Sequence, residues 1–344
     1  MILIAWLTLA VLTGCRAKPH TTARDPVALQ LSWSISPEHA AFLLGKDEIF
    51  PSYGIDLDLQ PSRGSNETLA SIAAGKYEFV IASAESLVLA RSQGVKARSV
   101  LQLYRQSPAV VFSIRGIQLK SPRDLIGKRV GVIRTSTVAT QFDLMLRLAG
   151  VPTSDRARPG VVQTVAATQG GSAQLESGQI DLLTQYTNYA AAQFLAKRRP
   201  VTELFFRDNG IDTYSAGIVV RDDTARNKRN LVQRFVCATI ESLELARREP
   251  ARALTAFAKW SSENTGTADI RYAAISLQRT NEMLSAGLNG HRMGYHDESG
   301  WRRTLATVRE IEGEDLSNIK FSSLFDRSFI TMAERPERCQ ALKR

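Results

Sequence analysis

The regular alternation of short apolar runs with helical runs across residues 29–132 restricts the fold of this chain more than any other feature. Strand-like runs at Val27 to Leu31, Ile55 to Leu59 and Phe79 to Ile81 are separated by segments with helical character. Such an alternation is typical of βαβ units around a buried parallel sheet. The sequence therefore predicts an α/β fold.

Three short polar segments follow these strand-like runs, at the points where each strand gives way to a helix. They are WSISPEH, RGSNET and IASAES. Open α/β sheets bind ligands in the crevice at the carboxyl ends of their strands. We therefore expect ligand-binding residues in these segments; the candidates are Trp33, His39, Ser65, Asn66 and Ser83. His39 has the alternative role of capping the first helix, and Trp33 that of packing beneath the crevice.

The N-terminal residues predict the compartment. Residues 1–14 carry no charge, and the apolar run from Ile2 to Leu12 is shorter than the roughly 20 residues that cross a bilayer core. This pattern predicts a signal peptide, although no Lys or Arg precedes the apolar run. The run ends in Leu-Thr-Gly-Cys, which resembles a bacterial lipobox in which Cys15 becomes lipidated. An uncleaved anchor or a chance apolar start is the alternative.

Charge and cysteine content exclude several classes of function. The chain has 44 Lys and Arg against 34 Asp and Glu, but the basic residues are dispersed, so no nucleic-acid surface is predicted. Attraction to anionic lipid or solute, or simply a solvated basic surface, remains open. Cys237 and Cys339 lie in no metal or redox motif. We expect Cys237 to be buried and Cys339 exposed in a polar tail, and leave a disulfide between them open.

A second group of candidates lies further along the chain. Thr135, Ser136 and Thr137 precede a helix whose apolar face is predicted from Val138, Phe142, Met145 and Ala149, so one of the three hydroxyl residues is an N-cap. Hydroxyls and free N–H groups at a helix N-terminus can also bind an acceptor or an anion. The segment Gly178 to Leu183 then repeats the pattern of Gly75 to Val80, which suggests two similar units.

The order and spacing of these segments resemble a known family between about Val27 and Glu312. They are similar to the solute-binding receptors of ABC importers, in the branch that holds the nitrate, sulfonate, taurine and thiamine-pyrimidine-precursor receptors and the eukaryotic thiamine-pyrimidine synthases. The resemblance implies a type II periplasmic-binding-protein fold with two α/β lobes around a hinged cleft. It implies a ligand-stacking role for Trp33 and a second cleft wall that contains Gln185, Tyr186 and Asn188. Tyr214, in the segment predicted to return the chain to the first lobe, is a further candidate ligand contact.

Two departures from the family pattern affect the predicted ligand and activity. An acidic residue usually follows the Asn-Tyr pair, but Ala190 stands there, so the carboxylate expected to pair with an aminopyrimidine is missing. The synthases consume a histidine of the His39 region and share a cysteine-rich iron-binding motif, which this sequence lacks. A Gly-x-Ser-x-Gly elbow and a phosphate-binding loop are also lacking.

The sequence as a whole predicts a lipid-anchored, extracytoplasmic, monomeric receptor with no enzymatic activity, cofactor, metal or nucleic-acid partner. It would pass a small solute to ABC permease and ATPase subunits. Lobe one is predicted at 27–117 and 217–330, lobe two at 118–216, and a polar tail at 331–344. A small heteroaromatic such as a thiamine pyrimidine precursor is the first choice of ligand, and an organosulfonate the second. A ligand-sensing lipoprotein without transport and a synthase-like enzyme remain alternatives.

Overall fold

A computed structural model describes residues 23–344 except 135, 169, 267, 314 and 315, together with the backbone but not the side chain of residue 312. The predicted lipobox with Cys15, and also Thr135, therefore lie outside the described residues. Over these residues the strands are β1 (Asp25–Gln30), β2 (Ile55–Gln60), β3 (Phe79–Ser83), β4 (Ala97–Gln102), β5 (Ala109–Ser113), β6 (Arg129–Val132), β7 (Thr153–Ser154), β8 (Val162–Ala166), β9 (Leu182–Tyr186), β10 (Thr202–Phe205) and β11 (Ala216–Arg221).

The α-helices surround two sheets built from these strands. They are α1 (Ala40–Glu48), α2 (Ser65–Ala73), α3 (Ala84–Ser92), α4 (Thr137–Leu148), α5 (Ser172–Ser177), α6 (Ala192–Ala196), α7 (Asp222–Asn227), α8 (Arg229–Arg248), α9 (Pro250–Thr265), α10 (Ile270–Ser285), α11 (Glu298–Glu312), α12 (Ser328–Ala333) and α13 (Pro336–Gln340). In the described part of the chain, none of these helices combines the length and apolar character needed to cross a membrane.

The first sheet has the order β2-β1-β3-β11-β4, with β11 antiparallel to both of its neighbours. The edge strand β2 alternates buried Ile55, Leu57 and Leu59 with exposed aspartates, whereas the central strand β3 is buried throughout. Phe79 and Ile81 of β3 pack into one apolar cluster, and Val80 and Ala82 into another on the opposite face. The sheet is thus covered on both faces, as its apolar sequence predicts.

The second sheet has the order β10-β5-β9-β6-β8-β7, with β5 antiparallel to β9 and β10. We call the body built on the first sheet the first lobe, and the body built on the second sheet the second lobe. Strand β5 belongs to the second sheet, although it lies within the segment 27–117 predicted for lobe one. The chain crosses between the lobes at residues 103–108 and returns before β11 begins at Ala216.

Several features of the packing follow from the residue types and their spacing. The stripe on α8, which includes Val232, Phe235 and Leu243, is buried. Helix α9 begins at Pro250, where the missing N–H has no helical partner to lose. Trp301 is fully buried and stacks on Phe325 with ring centroids 5.5 Å apart.

The predicted polar tail is structured, and the prediction of an exposed Cys339 is wrong. Cys339 lies on α13, is buried, and forms a disulfide with Cys237 of α8. The Arg344 backbone N–H donates to the carbonyl of Ser52 at 2.8 Å, which fixes the end of the chain on the first lobe. The polar composition of residues 331–344 concealed these contacts because their partners lie far away in sequence.

Candidate ligand-binding site

The edges of the two sheets that carry candidate residues meet at the chain crossings. Strand register places Ser83, at the end of β3, opposite Ala216, the first residue after the return crossing. It likewise places Tyr186, at the end of β9, opposite Ala109, just after the first crossing. The carboxyl ends of β3 and β9 therefore both lie next to the hinge, where an α/β protein forms its ligand crevice. We call the space between these edges the cleft.

Trp33 lies in the loop after β1, on the first-lobe side of the cleft. Its backbone carbonyl accepts from the Ser62 backbone N–H, while its side chain is 45% exposed. Large aromatic side chains are usually more buried than this. Trp33 is therefore not packed beneath the cleft, which was its alternative role.

The other predicted residues of this wall take part in local hydrogen bonds. The Ser65 hydroxyl accepts from the Ser83 backbone N–H at 3.0 Å and so joins α2 to β3. Ser83 caps α3 by accepting from the Ser86 backbone N–H at 3.1 Å. Asn66 is exposed in the first turn of α2, whose N-cap, Gly64, has no side chain to cap it. The start of α2 thus offers the more accessible donors of this wall.

His39 is buried and caps a short 3₁₀ helix (Pro37–His39). Its Nδ1 accepts from the Ser36 backbone N–H at 3.2 Å. Burial lowers the pKa of His39, which keeps the imidazole neutral. Of the two roles that the sequence allowed, the structure supports the cap.

On the second lobe, Ser136 is the N-cap of α4, a role that the sequence predicted for one of three hydroxyl residues before this helix. Its hydroxyl accepts from the Ala139 backbone N–H at 3.3 Å and donates to the Ile133 carbonyl at 2.7 Å. Thr137 is half-buried beside it as the first residue of α4. Helix α4 thus points its N-terminus toward the crevice from the end of β6.

Gln185, Tyr186 and Asn188 lie at the end of β9 and in the π-helical turn (Thr187–Ala191) that follows it. Gln185 and Tyr186 are half-buried, and the Gln185 Oε1 accepts from the Tyr186 backbone N–H at 3.1 Å. Burial raises the pKa of the Tyr186 phenol, and the carboxylates Glu85 and Glu38 raise it further. Ala190, by contrast, packs into the core of the second lobe.

Asn188 connects the two lobes. Its Nδ2 donates to Glu38 Oε2 and to Thr280 Oγ1, each at 3.1 Å. Glu38 lies on the 3₁₀ helix of the first lobe, and its Oε2 also lies 3.4 Å from the Tyr104 hydroxyl. The cleft is therefore closed at this point by a hydrogen bond from an amide to a carboxylate.

The structure does not bring Tyr214 to the cleft. Its ring packs edge-on against Trp301, with centroids 5.8 Å apart, and its hydroxyl lies 3.2 Å from Asp297 Oδ1. Burial raises the pKa of this phenol to about 12. Tyr214 follows the sheet edge in sequence, but its side chain turns to the outer core of the first lobe.

A second interlobe contact involves residues that the sequence did not single out. Glu85, the second residue of α3, accepts from Gln141 Nε2 of α4 and from Thr213 Oγ1 of the return crossing, each at 2.6 Å. Gln141 in turn accepts from the Ser107 hydroxyl of the first crossing at 2.7 Å. The Glu85 carboxylate is thus hydrogen-bonded to the second lobe and to the return crossing. Gln141 extends this network to the first crossing.

A third contact spans the lobes near α10. The Arg279 guanidinium pairs with Glu203 of β10 at 2.7 Å and donates to the Thr187 hydroxyl. The two charged side chains are 19% and 12% exposed, so the pair is largely shielded from water. Two surface cavities, of about 440 and 640 Å³, lie elsewhere, beside Arg234 and between α9 and α10.

Comparison with known proteins gives a consistent picture. A family model described as NMT1/THI5 like matches residues 36–253. A Haemophilus influenzae protein named for thiamine biosynthesis is 22% identical over 251 residues, which span 71% of this chain and 76% of that protein. The riboflavin-binding protein RibY of Chloroflexus aurantiacus is 25% identical over 240 residues, which span 67% of this chain and 64% of RibY.

Among solved structures, the periplasmic aliphatic sulphonate binding protein SsuA of Escherichia coli superposes with a TM-score of 0.62 and 12% identity. The match covers 83% of this chain and 90% of SsuA. At that identity the similarity concerns the fold alone. It confirms the predicted α/β architecture of the periplasmic-binding-protein type.

Proposed function

The chain belongs to the NMT1/THI5-like family, and on that premise we propose that it is a lipid-anchored, extracytoplasmic solute receptor of an ABC importer. Its work would be to bind a small molecule between the lobes and deliver it to permease and ATPase subunits. The match of the family model to residues 36–253 confirms the family resemblance predicted from the sequence. The ligand, the anchor and the transport partners are the parts that we propose.

The observation that carries this proposal is the position of aromatic and polar side chains at the meeting edges of two sheets. Trp33 is exposed on one wall, and Tyr186 is half-buried on the other. Aromatic faces hold and orient a flat ligand without needing its charge. Because the chain crosses twice between the lobes, a ligand that touches both walls would stabilise the closed arrangement.

For the ligand we propose a small heteroaromatic molecule related to the thiamine pyrimidine precursors, with an organosulfonate as second choice. Relatives named for thiamine biosynthesis and for riboflavin binding support a flat nitrogen heterocycle. The sulphonate binding protein SsuA supports the alternative through its fold only.

We propose that anchoring occurs through Cys15 and that the protein acts as a monomer. A diacylglyceryl cysteine that is also N-acylated supplies more than the two signals that stable anchoring requires. The Cys237–Cys339 disulfide supports an extracytoplasmic location, because such bonds persist in oxidising compartments.

A synthase-like enzyme is the weaker alternative. That reaction would need an accessible histidine in the His39 region, but His39 is buried and holds a helix cap through its Nδ1. The arrangement favours binding over chemistry.

Native mass spectrometry of protein purified from its host without refolding tests the proposal. We expect a 1:1 complex with a small molecule, released on denaturation and identified as a nitrogen heterocycle. Calorimetric titration of denatured and refolded protein with an aminopyrimidine, riboflavin and ethanesulfonate would then measure each affinity. Failure to find a bound molecule and to bind any probe would refute the receptor function.

A further inference from the structure

The cleft carries two carboxylates, Glu38 and Glu85, that the predicted ligand contacts do not include. Glu38 follows Trp33 by five residues, and its side chain is 21% exposed, so one face remains accessible. Glu85 is only 3% exposed. Glu38 accepts from Asn188, two residues beyond Tyr186, and Glu85 accepts from Gln141 of α4, so both carboxylates contact the second lobe at the cleft.

Within the described part of the chain, neither carboxylate pairs with a Lys or Arg side chain. Among the ion pairs of the described residues, the sole contact of Glu38 is with neutral His39 at 3.8 Å, and Glu85 forms none. Glu38 Oε2 accepts from Asn188 Nδ2 at 3.1 Å, and the Tyr104 hydroxyl lies 3.4 Å from the same oxygen. Glu38 Oε1 has only a long contact with the Ser36 hydroxyl, at 3.4 Å. A carboxylate held in a protein interior is normally paired with a cation or fully hydrogen-bonded.

Among the residues that the structure describes, one oxygen of Glu85 accepts no hydrogen bond. Its Oε1 accepts from Gln141 and Thr213, while the buried Oε2 has no donor in this part of the chain. Leaving a buried acceptor unsatisfied is unfavourable. Glu85 lies in the first turn of α3, two residues after Ser83 ends β3 at the cleft.

We propose that Glu38 and Glu85 select a ligand that presents N–H donors, such as an amino-substituted or protonated nitrogen heterocycle, and that they exclude sulfonates and other anions. The inference rests on the proposed receptor function and decides between its two ligand classes. A sulfonate brings only acceptor oxygens and a negative charge, so it would leave Oε2 of Glu85 unsatisfied and be repelled by Glu38.

The test is calorimetric titration of ligand-free wild type and Glu38→Gln with 4-amino-5-hydroxymethyl-2-methylpyrimidine and with ethanesulfonate. The control is Glu298→Gln, whose side chain is 60% exposed on α11. Glutamine keeps the shape of the side chain but removes its charge. Because charge-assisted hydrogen bonds are about twice as strong as neutral ones, we expect the aminopyrimidine to bind wild type and to lose about tenfold in affinity in Glu38→Gln.

A loss of affinity for the aminopyrimidine but not for the anion would separate selection by Glu38 from a general structural effect of the substitution. We expect ethanesulfonate to bind wild type weakly or not at all, and to bind Glu38→Gln no more weakly than wild type. Equal weakening of both ligands, no change for the aminopyrimidine, or tighter binding of ethanesulfonate by wild type would overturn the proposal. So would absence of aminopyrimidine binding. A co-purified sulfonate would refute the selection by carboxylates while leaving the receptor function intact.

Discussion

The disulfide between Cys237 and Cys339 allows a quantitative prediction about stability. It joins α8 to α13 across 102 residues, and the enclosed segment contains α9 to α12. In the chain-entropy model, closing a loop of this length restricts the unfolded state by about 4.7 kcal/mol, and measured effects are commonly about 2–4 kcal/mol. We therefore expect Cys237→Ala combined with Cys339→Ala to lower the free energy of unfolding by about 2–4 kcal/mol.

Urea denaturation of the soluble chain without Cys15, with and without reductant, measures this change. The wild type should show no free thiols under denaturing conditions, and reductant should move its midpoint toward that of the double variant. Reductant should leave the double variant unaffected, which controls for other effects of the reagent. Two free thiols in oxidised wild type, or equal midpoints for wild type and double variant, would show that the bond does not form or does not restrict the unfolded chain.

Four further outcomes are expected. Cys15→Ser should release the protein from membranes or leave an unprocessed precursor; wild type that is wholly soluble after detergent-free fractionation would contradict the anchor. Trp33→Ala should cost about 1–3 kcal/mol of affinity for a heteroaromatic ligand and much less for a small alkanesulfonate, as titration would measure. Burial raises the pKa of Glu85 in the folded protein, so the wild type should lose stability as the pH rises above about 4.5, the pKa of this carboxyl in the unfolded chain. Glu85→Gln should remove that loss, so the melting temperature of the variant minus that of wild type should increase from pH 5 to pH 8. A difference that stays constant or decreases would contradict the raised pKa of Glu85. Arg279→Met should increase the radius of gyration of ligand-free protein in X-ray scattering, whereas Arg302→Met, on an exposed pair, should not; equal radii for both variants would show that the Arg279 pair does not hold the lobes together.

Local sequence was sufficient for the first sheet and for much of the core. The alternation in β2, the uniform burial of β3 and the apolar stripe of α8 follow directly from residue spacing. Ser136 was one of three hydroxyl residues before a helix, and the structure selects it as the cap. In each case the information lies within one element.

Pairings over long distances in sequence were not predictable in this way. The run Ala109–Ser113 is apolar on both faces, and nothing in it shows which sheet it joins. Cys339 lies in a polar segment whose burial depends on α8. Glu38 looks like an ordinary residue of a helix start, and its partner Asn188 is 150 residues away.

The interlobe contacts have a consequence for how binding would proceed. Asn188 to Glu38, Gln141 to Glu85 and Arg279 to Glu203 join the lobes through the protein's own groups, so the closed arrangement has support without a ligand. A ligand shifts an equilibrium only by its differential affinity for the two states. A ligand that only replaced the Asn188 amide as the hydrogen-bond donor to Glu38 would stabilise the closed state little. One that also satisfied Oε2 of Glu85 would add a hydrogen bond that the empty closed cleft lacks, so recognition and closure would depend on the same carboxylate.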